Sequence, residues 1–90
     1  MDLETLREEI RKKDEEIIRL IGERTALAKE VGIYKKENEL PVRNPEVEKK
    51  VIDRYLEIGR KYGIDDTTMA SVARMLIEEA VAAEERILDE

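Results

Sequence analysis

The sequence predicts an all-α fold: a three-helix chain with one very long N-terminal helix, forming an intertwined helical homodimer. Three observations carry this reading. Apolar residues recur at helical spacing through most of the chain, and no run alternates as a strand would. Pro41 and Pro45 in one joint, and Gly63 in another, divide the pattern into three segments. The first segment would be roughly 54 Å long at about 1.5 Å per residue, against about 30 Å for the diameter of a small domain. Much of its apolar stripe therefore needs a partner chain, and a second copy is the simplest one.

Helix one is expected from about Asp2 to Glu37. Leu3, Ile10, Ile17, Arg24 and Val31 recur every seven residues, and Leu6, Leu20, Leu27 and Tyr34 fill a neighbouring column that Lys13 interrupts. Pro41 ends any continuation, because the residue before a proline is pushed out of the α region. Asn44 and Pro45 then read as an N-cap and first helical residue, with Glu46 and Glu48 at the positive helix start. Helix two is expected over about 45–62, with Val47, Val51, Tyr55, Ile58 and Tyr62 as its stripe and Gly63 closing it. Asp65 or Asp66 caps helix three, over about 67–88, whose apolar positions include Met69, Val72, Ala73, Leu76, Ile77, Ala80 and Ile87. No repeat or second domain is visible, so residues 1–90 form a single domain.

Composition narrows the chemistry. The 90 residues contain no His, Cys, Phe or Trp, which excludes imidazole bases, thiol nucleophiles, disulfides and the usual zinc ligands. A net charge of −6 argues against general affinity for nucleic acid or anionic membranes. No apolar run is long enough to span a bilayer. The N-terminus MDLETLREEIRKKDEE lacks an apolar signal core, so a cytoplasmic location is expected. The Glu-, Lys- and Arg-rich, Gln-free composition leans towards a thermophilic or idealised sequence.

The informative residues are charges on the wrong face. At about 100° per residue, with Arg24 at zero, Ile17 falls near ~20°, Val31 near ~−20° and Lys35 near ~20°. Arg24 and Lys35 thus lie mid-stripe, about three turns apart. Glu84, four residues after Ala80 and three before Ile87, lies on or beside the apolar face of helix three. Arg7 sits at the stripe's edge about 25 Å from Arg24 along the same rod, so the two meet at one small molecule only across an antiparallel dimer. A buried unpaired cation costs several kcal/mol. Either an internal ion pair with Asp14, Glu48 or Glu84 offsets that cost, or an anionic ligand between the helices does. Several inward charges in so small a bundle favour a ligand site. Lys13, also on the stripe, is assigned no function and can snorkel to water.

With those residues in view, the chain resembles the all-helical class of chorismate mutase over essentially its whole length. The likeness rests on L-R-E-E-I-R-K-K-D near the start and E-R-T-A-L-A-K-E-V-G-I-Y-K in the long helix. P-V-R-N-P-E-V-E at the joint and L-I-E-E-A-V-A-A-E in helix three complete it. The resemblance implies an intertwined homodimer whose two sites each take one Arg from the partner's long helix. It implies the rearrangement of a small dianion, chorismate, to prephenate in Phe and Tyr biosynthesis, without covalent intermediate, metal or redox cofactor. It also implies roles. Arg7 (from the partner) and Arg24 grip the two carboxylates. Lys35 contacts a carboxylate and the ether oxygen, and Arg43 adds to carboxylate binding. Asn44, through its backbone, and Glu48 meet the ring hydroxyl. Ala80 stands where a small polar residue helps bind a carboxylate, and Glu84 is the second donor to the ether oxygen.

The chain departs from the pattern at Asn44, where some members have Asp, at Val47, where some have Arg, and at Ala80, which has no hydroxyl. Several members carry Gln where this chain has Glu84. A Gln amide donates at any pH, a Glu only when protonated, so activity is expected to fall as pH rises. A lyase removing pyruvate from isochorismate, or a non-catalytic helical dimer, are the alternatives on the same fold.

Overall fold

The computed structural model describes residues 1–90 as three helices: α1 (Leu3–Glu37), α2 (Pro45–Lys61) and α3 (Asp66–Leu88). The ends lie within a residue of the expected ones, and the caps explain the differences. Asp2 stands outside α1, accepting the Thr5 N–H at 2.8 Å. Asp65 is the α3 cap, accepting the Thr68 N–H at 2.9 Å, so the helix opens at Asp66. The same N–H donors hold both carboxyls below their ordinary value. Each cap therefore stabilises its helix above the usual carboxylate range, and the contribution is lost as pH falls through the lowered value. Asn44 caps α2 through the Val47 N–H at 3.2 Å, with Pro45 as the first helical residue.

Helices α1 and α2 end in the same way. Leu40 N–H returns to the Lys35 carbonyl at 2.9 Å, and Ile64 N–H to the Gly59 carbonyl at 3.0 Å. This Schellman closure needs a left-handed residue after each C-cap. In α2 that residue is Gly63, at φ 75°. In α1 it is Glu39, at φ 52°, where a Cβ is strained. Glu39→Gly is expected to stabilise the protein by about 1 kcal/mol, raising the thermal midpoint by several degrees. An unchanged or lower midpoint in a calorimetric scan would refute this.

Helix α3 is the hub. It packs on both α1 and α2, whose backbones stay apart from each other. Contacts join Arg24 to Leu76 and Lys36 to Ile87, so α3 runs parallel to the C-terminal half of α1. Arg60 joined to Asp66, and Arg43 to Glu78, show α2 antiparallel to α3. Five of the eight buried residues lie on α3: Ala73, Ile77, Val81, Ala83 and Glu84. The α2 stripe differs from the expected one. Val47, Ile58 and Tyr62 are exposed, and Gly59 is buried instead, against Met69. The Met69 side chain fills the space a Cβ would take at Gly59.

Every residue of α1 before Arg24 is exposed. Leu3, Ile10, Ile17, Leu20 and Leu27 are each more than half exposed. The radius of gyration is 16.1 Å, against about 12 Å for a compact domain of this length. The accessible surface of 7029 Å² exceeds by about 1,600 Å² that of a compact chain of this mass. No helix is long and apolar enough to cross a membrane.

Candidate active site

Because α1 and α2 both lean on α3 while their backbones stay apart, a cleft of about 310 Å³ opens between them, floored by α3. That volume is at the lower end of the range for small-molecule sites. Most of its wall is apolar, from Leu27, Val31, Val51, Ile77 and Val81 among others. Its polar groups are Arg24, Lys35, Asn44, Glu48 and Glu84. Of the expected site residues, Arg24, Lys35, Asn44, Glu48, Ala80 and Glu84 line this one cleft. Arg43 stands at its edge, and Arg7 lies far along α1, exposed and paired with Glu4 at 2.9 Å.

Each polar group is held. Arg24, half-buried, donates from Nη1 to the Leu76 carbonyl at 3.0 Å. Its anchor is therefore the backbone of α3 rather than a carboxylate, and its charge is not neutralised there. Lys35 Nζ donates to the Val42 carbonyl at 2.6 Å and lies 2.7 Å from Glu84 Oε1. The Lys35–Glu84 contact is an ion pair without hydrogen-bond alignment, which leaves Oε1 buried and lacking a donor. Glu84 is only 6% exposed, so for Lys35 the internal ion pair is realised within the cleft.

Asn44 uses its side-chain oxygen as a cap, as its sequence position implied, and leaves its own N–H free on the cleft wall. Glu48 accepts from Arg43 Nη1 at 3.1 Å. Arg43 also makes a two-pronged contact to Glu78, at 2.6 and 2.8 Å, and this partner above all raises its guanidinium further above the ordinary value. The joint between α1 and α2 is thereby tied to α3. Lys13 pairs with Glu16 at 3.5 Å on the exposed face, which matches a purely structural role. Asp14 is exposed and takes no part in the cleft.

Three contributors were not legible in the sequence. The carbonyls of Val42 and Leu76 hold Lys35 and Arg24, and a backbone acceptor has no residue signature. Gly32 lets α3 approach α1 closely at Glu84. Its only signal is a glycine inside a long helix, where it costs about 1 kcal/mol relative to Ala.

A family model described as chorismate mutase type II matches residues 6–85, nearly the whole chain. The chain belongs to the chorismate mutase type II family. Among relatives, a chorismate mutase of Methanocaldococcus jannaschii is 35% identical over 86 residues, covering 91% of this chain and 87% of that protein. A bifunctional chorismate mutase/prephenate dehydratase of Aquifex aeolicus is 34% identical over 89 residues, 96% of this chain but 25% of that protein. The bifunctional protein of Escherichia coli is 31% identical over 85 residues, 94% of this chain and 22% of its own length. This chain thus spans most of a chorismate mutase that stands alone, and a quarter or less of these bifunctional proteins.

Proposed function

We propose that this chain is a homodimeric chorismate mutase, an isomerase converting chorismate to prephenate on the route to Phe and Tyr. The observation that carries the reading is the joint presence of Arg24, Lys35 and Glu84 on the walls of one cleft, in a chain of this family.

The charge balance supports a partner-completed site. One chain's cleft sets Arg24 and Lys35 against Glu48 and Glu84, which is no attraction for a dianion. Arg7 from a second copy would supply the missing cation. The uncovered apolar face of α1 and the excess surface favour that dimer. Arg24 and the partner-supplied Arg7 then grip the substrate's carboxylates as guanidinium forks, with Arg43 adding to that binding from the rim. Ala80, having no hydroxyl, contributes only backbone and wall to the carboxylate side. The free Asn44 N–H and Glu48 face the ring hydroxyl. Folding the bound substrate into a reactive conformer provides part of the acceleration.

Lys35 and Glu84 act where negative charge grows as the C–O bond breaks. The ammonium of Lys35 donates to the ether oxygen, and Glu84 donates only as the acid. Ionised, as in its ion pair with Lys35, Glu84 repels the developing charge, whereas a Gln amide in its place donates whatever the pH. Glu84→Gln is therefore expected to raise kcat/KM at neutral pH. A lower kcat/KM in that variant would contradict the role.

Turnover tests the function itself. Purified protein is expected to consume chorismate and yield prephenate. Release of pyruvate from isochorismate without prephenate formation from chorismate would assign the lyase reaction instead. No turnover of either, with no binding of a bicyclic transition-state mimic, would leave a non-catalytic scaffold.

A further inference from the structure

We infer that Gly32 is a positioning residue for catalysis: its lack of a side chain sets the separation at which Lys35 of α1 meets Glu84 of α3. The inference rests on the reading of Lys35 and Glu84 as the catalytic pair. Gly32 is buried near the C-terminal end of a 35-residue helix, where any residue but proline would favour the helix more. A Cβ built on it would stand 3.0 Å from the Cα of Glu84, 3.3 Å from the Ile87 Cβ and 3.4 Å from the Glu84 Cβ. The nearest of these is backbone, so the clash is not relieved by turning a flexible side chain. It is relieved only by moving α3 away from α1 by a few tenths of an ångström.

That movement falls on the reacting pair. Glu84 is the residue directly against Gly32, and Lys35 lies one turn further along α1. Glu84 is flush against the α1 backbone at Gly32, and its carboxylate meets the Lys35 ammonium at 2.7 Å. Lys35 is also held from the other side by the Val42 carbonyl at 2.6 Å, so it has little freedom to follow a receding Glu84. Displacements of this order matter, since about 1 Å of misplacement can cost roughly 10²-fold in rate.

The same helix contains its own control. Gly22 has nothing within 4 Å of an added Cβ, and lies on the face opposite the apolar stripe. Gly22→Ala and Gly32→Ala both improve helix propensity, but only the second touches α3. Three readings are compared: kcat and KM for chorismate, the helical circular dichroism with the thermal midpoint, and the NMR resonance of the Glu84 carboxyl carbon, identified by its disappearance in Glu84→Gln. Gly32→Ala is expected to lower kcat about tenfold with KM within about twofold, and to shift the Glu84 resonance while helix content stays the same. Gly22→Ala is expected to match the parent in kcat and in that resonance. Equal kcat and an unmoved resonance in the two variants would overturn the inference. So would a Gly32→Ala chain that fails to fold while Gly22→Ala folds, because the close approach would then serve the fold rather than the pair. The resonance is read whether or not chorismate turns over. A shift without turnover in the parent would therefore fault the assigned reaction and leave the positioning role standing.

Discussion

Lys35→Ala is expected to lower kcat/KM for chorismate by about 10²–10³-fold, the effect of removing one preorganised donor from a site of developing negative charge. The loss should appear mainly in kcat, because the ether oxygen needs the donor most in the transition state. The substitution also strands Glu84, which is 6% exposed and whose only nearby cation is Lys35 at 2.7 Å. An uncompensated buried charge of this kind costs about 3–5 kcal/mol, so the single variant is expected to melt earlier. The double variant Lys35→Ala with Glu84→Gln separates the two effects: stability should return and activity should not. Activity that recovers together with stability would make the pair structural.

Arg24→Ala carries the second large effect. Arg24 is half-buried on the cleft wall and tied to an uncharged acceptor, the Leu76 carbonyl, so its charge is available to a ligand. Truncating a hydrogen-bonded buried charge costs about 2–5 kcal/mol of binding. At about 1.4 kcal/mol per decade, kcat/KM should drop by roughly 30- to 4,000-fold. Stability should change little, because no carboxylate is left without its partner. A thermal midpoint close to that of the parent, with activity lost, is the expected signature. Undiminished kcat/KM would refute the assignment.

What was legible in the sequence was whatever broke a pattern or punctuated it. Arg24 and Lys35 stood out because they replace apolar residues in a stripe, and Glu84 because it neighbours Ala80 and Ile87 on another. The joints were legible because Pro45 and Gly63 have restricted or permissive backbones that suit helix ends. The partners were less so. Arg24 reaches a carbonyl 52 residues away, and helical periodicity says nothing about which helices face each other. Glu39 carries no signal because the left-handed closure of α1 uses a residue with no preference for it. On α2, Ile58 and Tyr62 follow the periodicity, yet the buried position is Gly59, where Met69 fills the space. An apolar stripe shows which face is dry in the final assembly, and not which neighbour dries it.

In the proposed dimer a functional cleft takes Arg24 from one chain and Arg7 from another, and mixing inactive variants tests this pairing. Arg7→Ala and Arg24→Ala chains are each expected to be nearly inactive alone. Unfolded together and refolded at equal concentration, half of the dimers should contain one chain of each kind. Every mixed dimer would then have one site with both arginines and one with neither. The account predicts recovery of about one quarter of parental activity in the mixture. Recovery of none, with mixed dimers formed, would contradict it and place Arg7 outside the site that Arg24 serves.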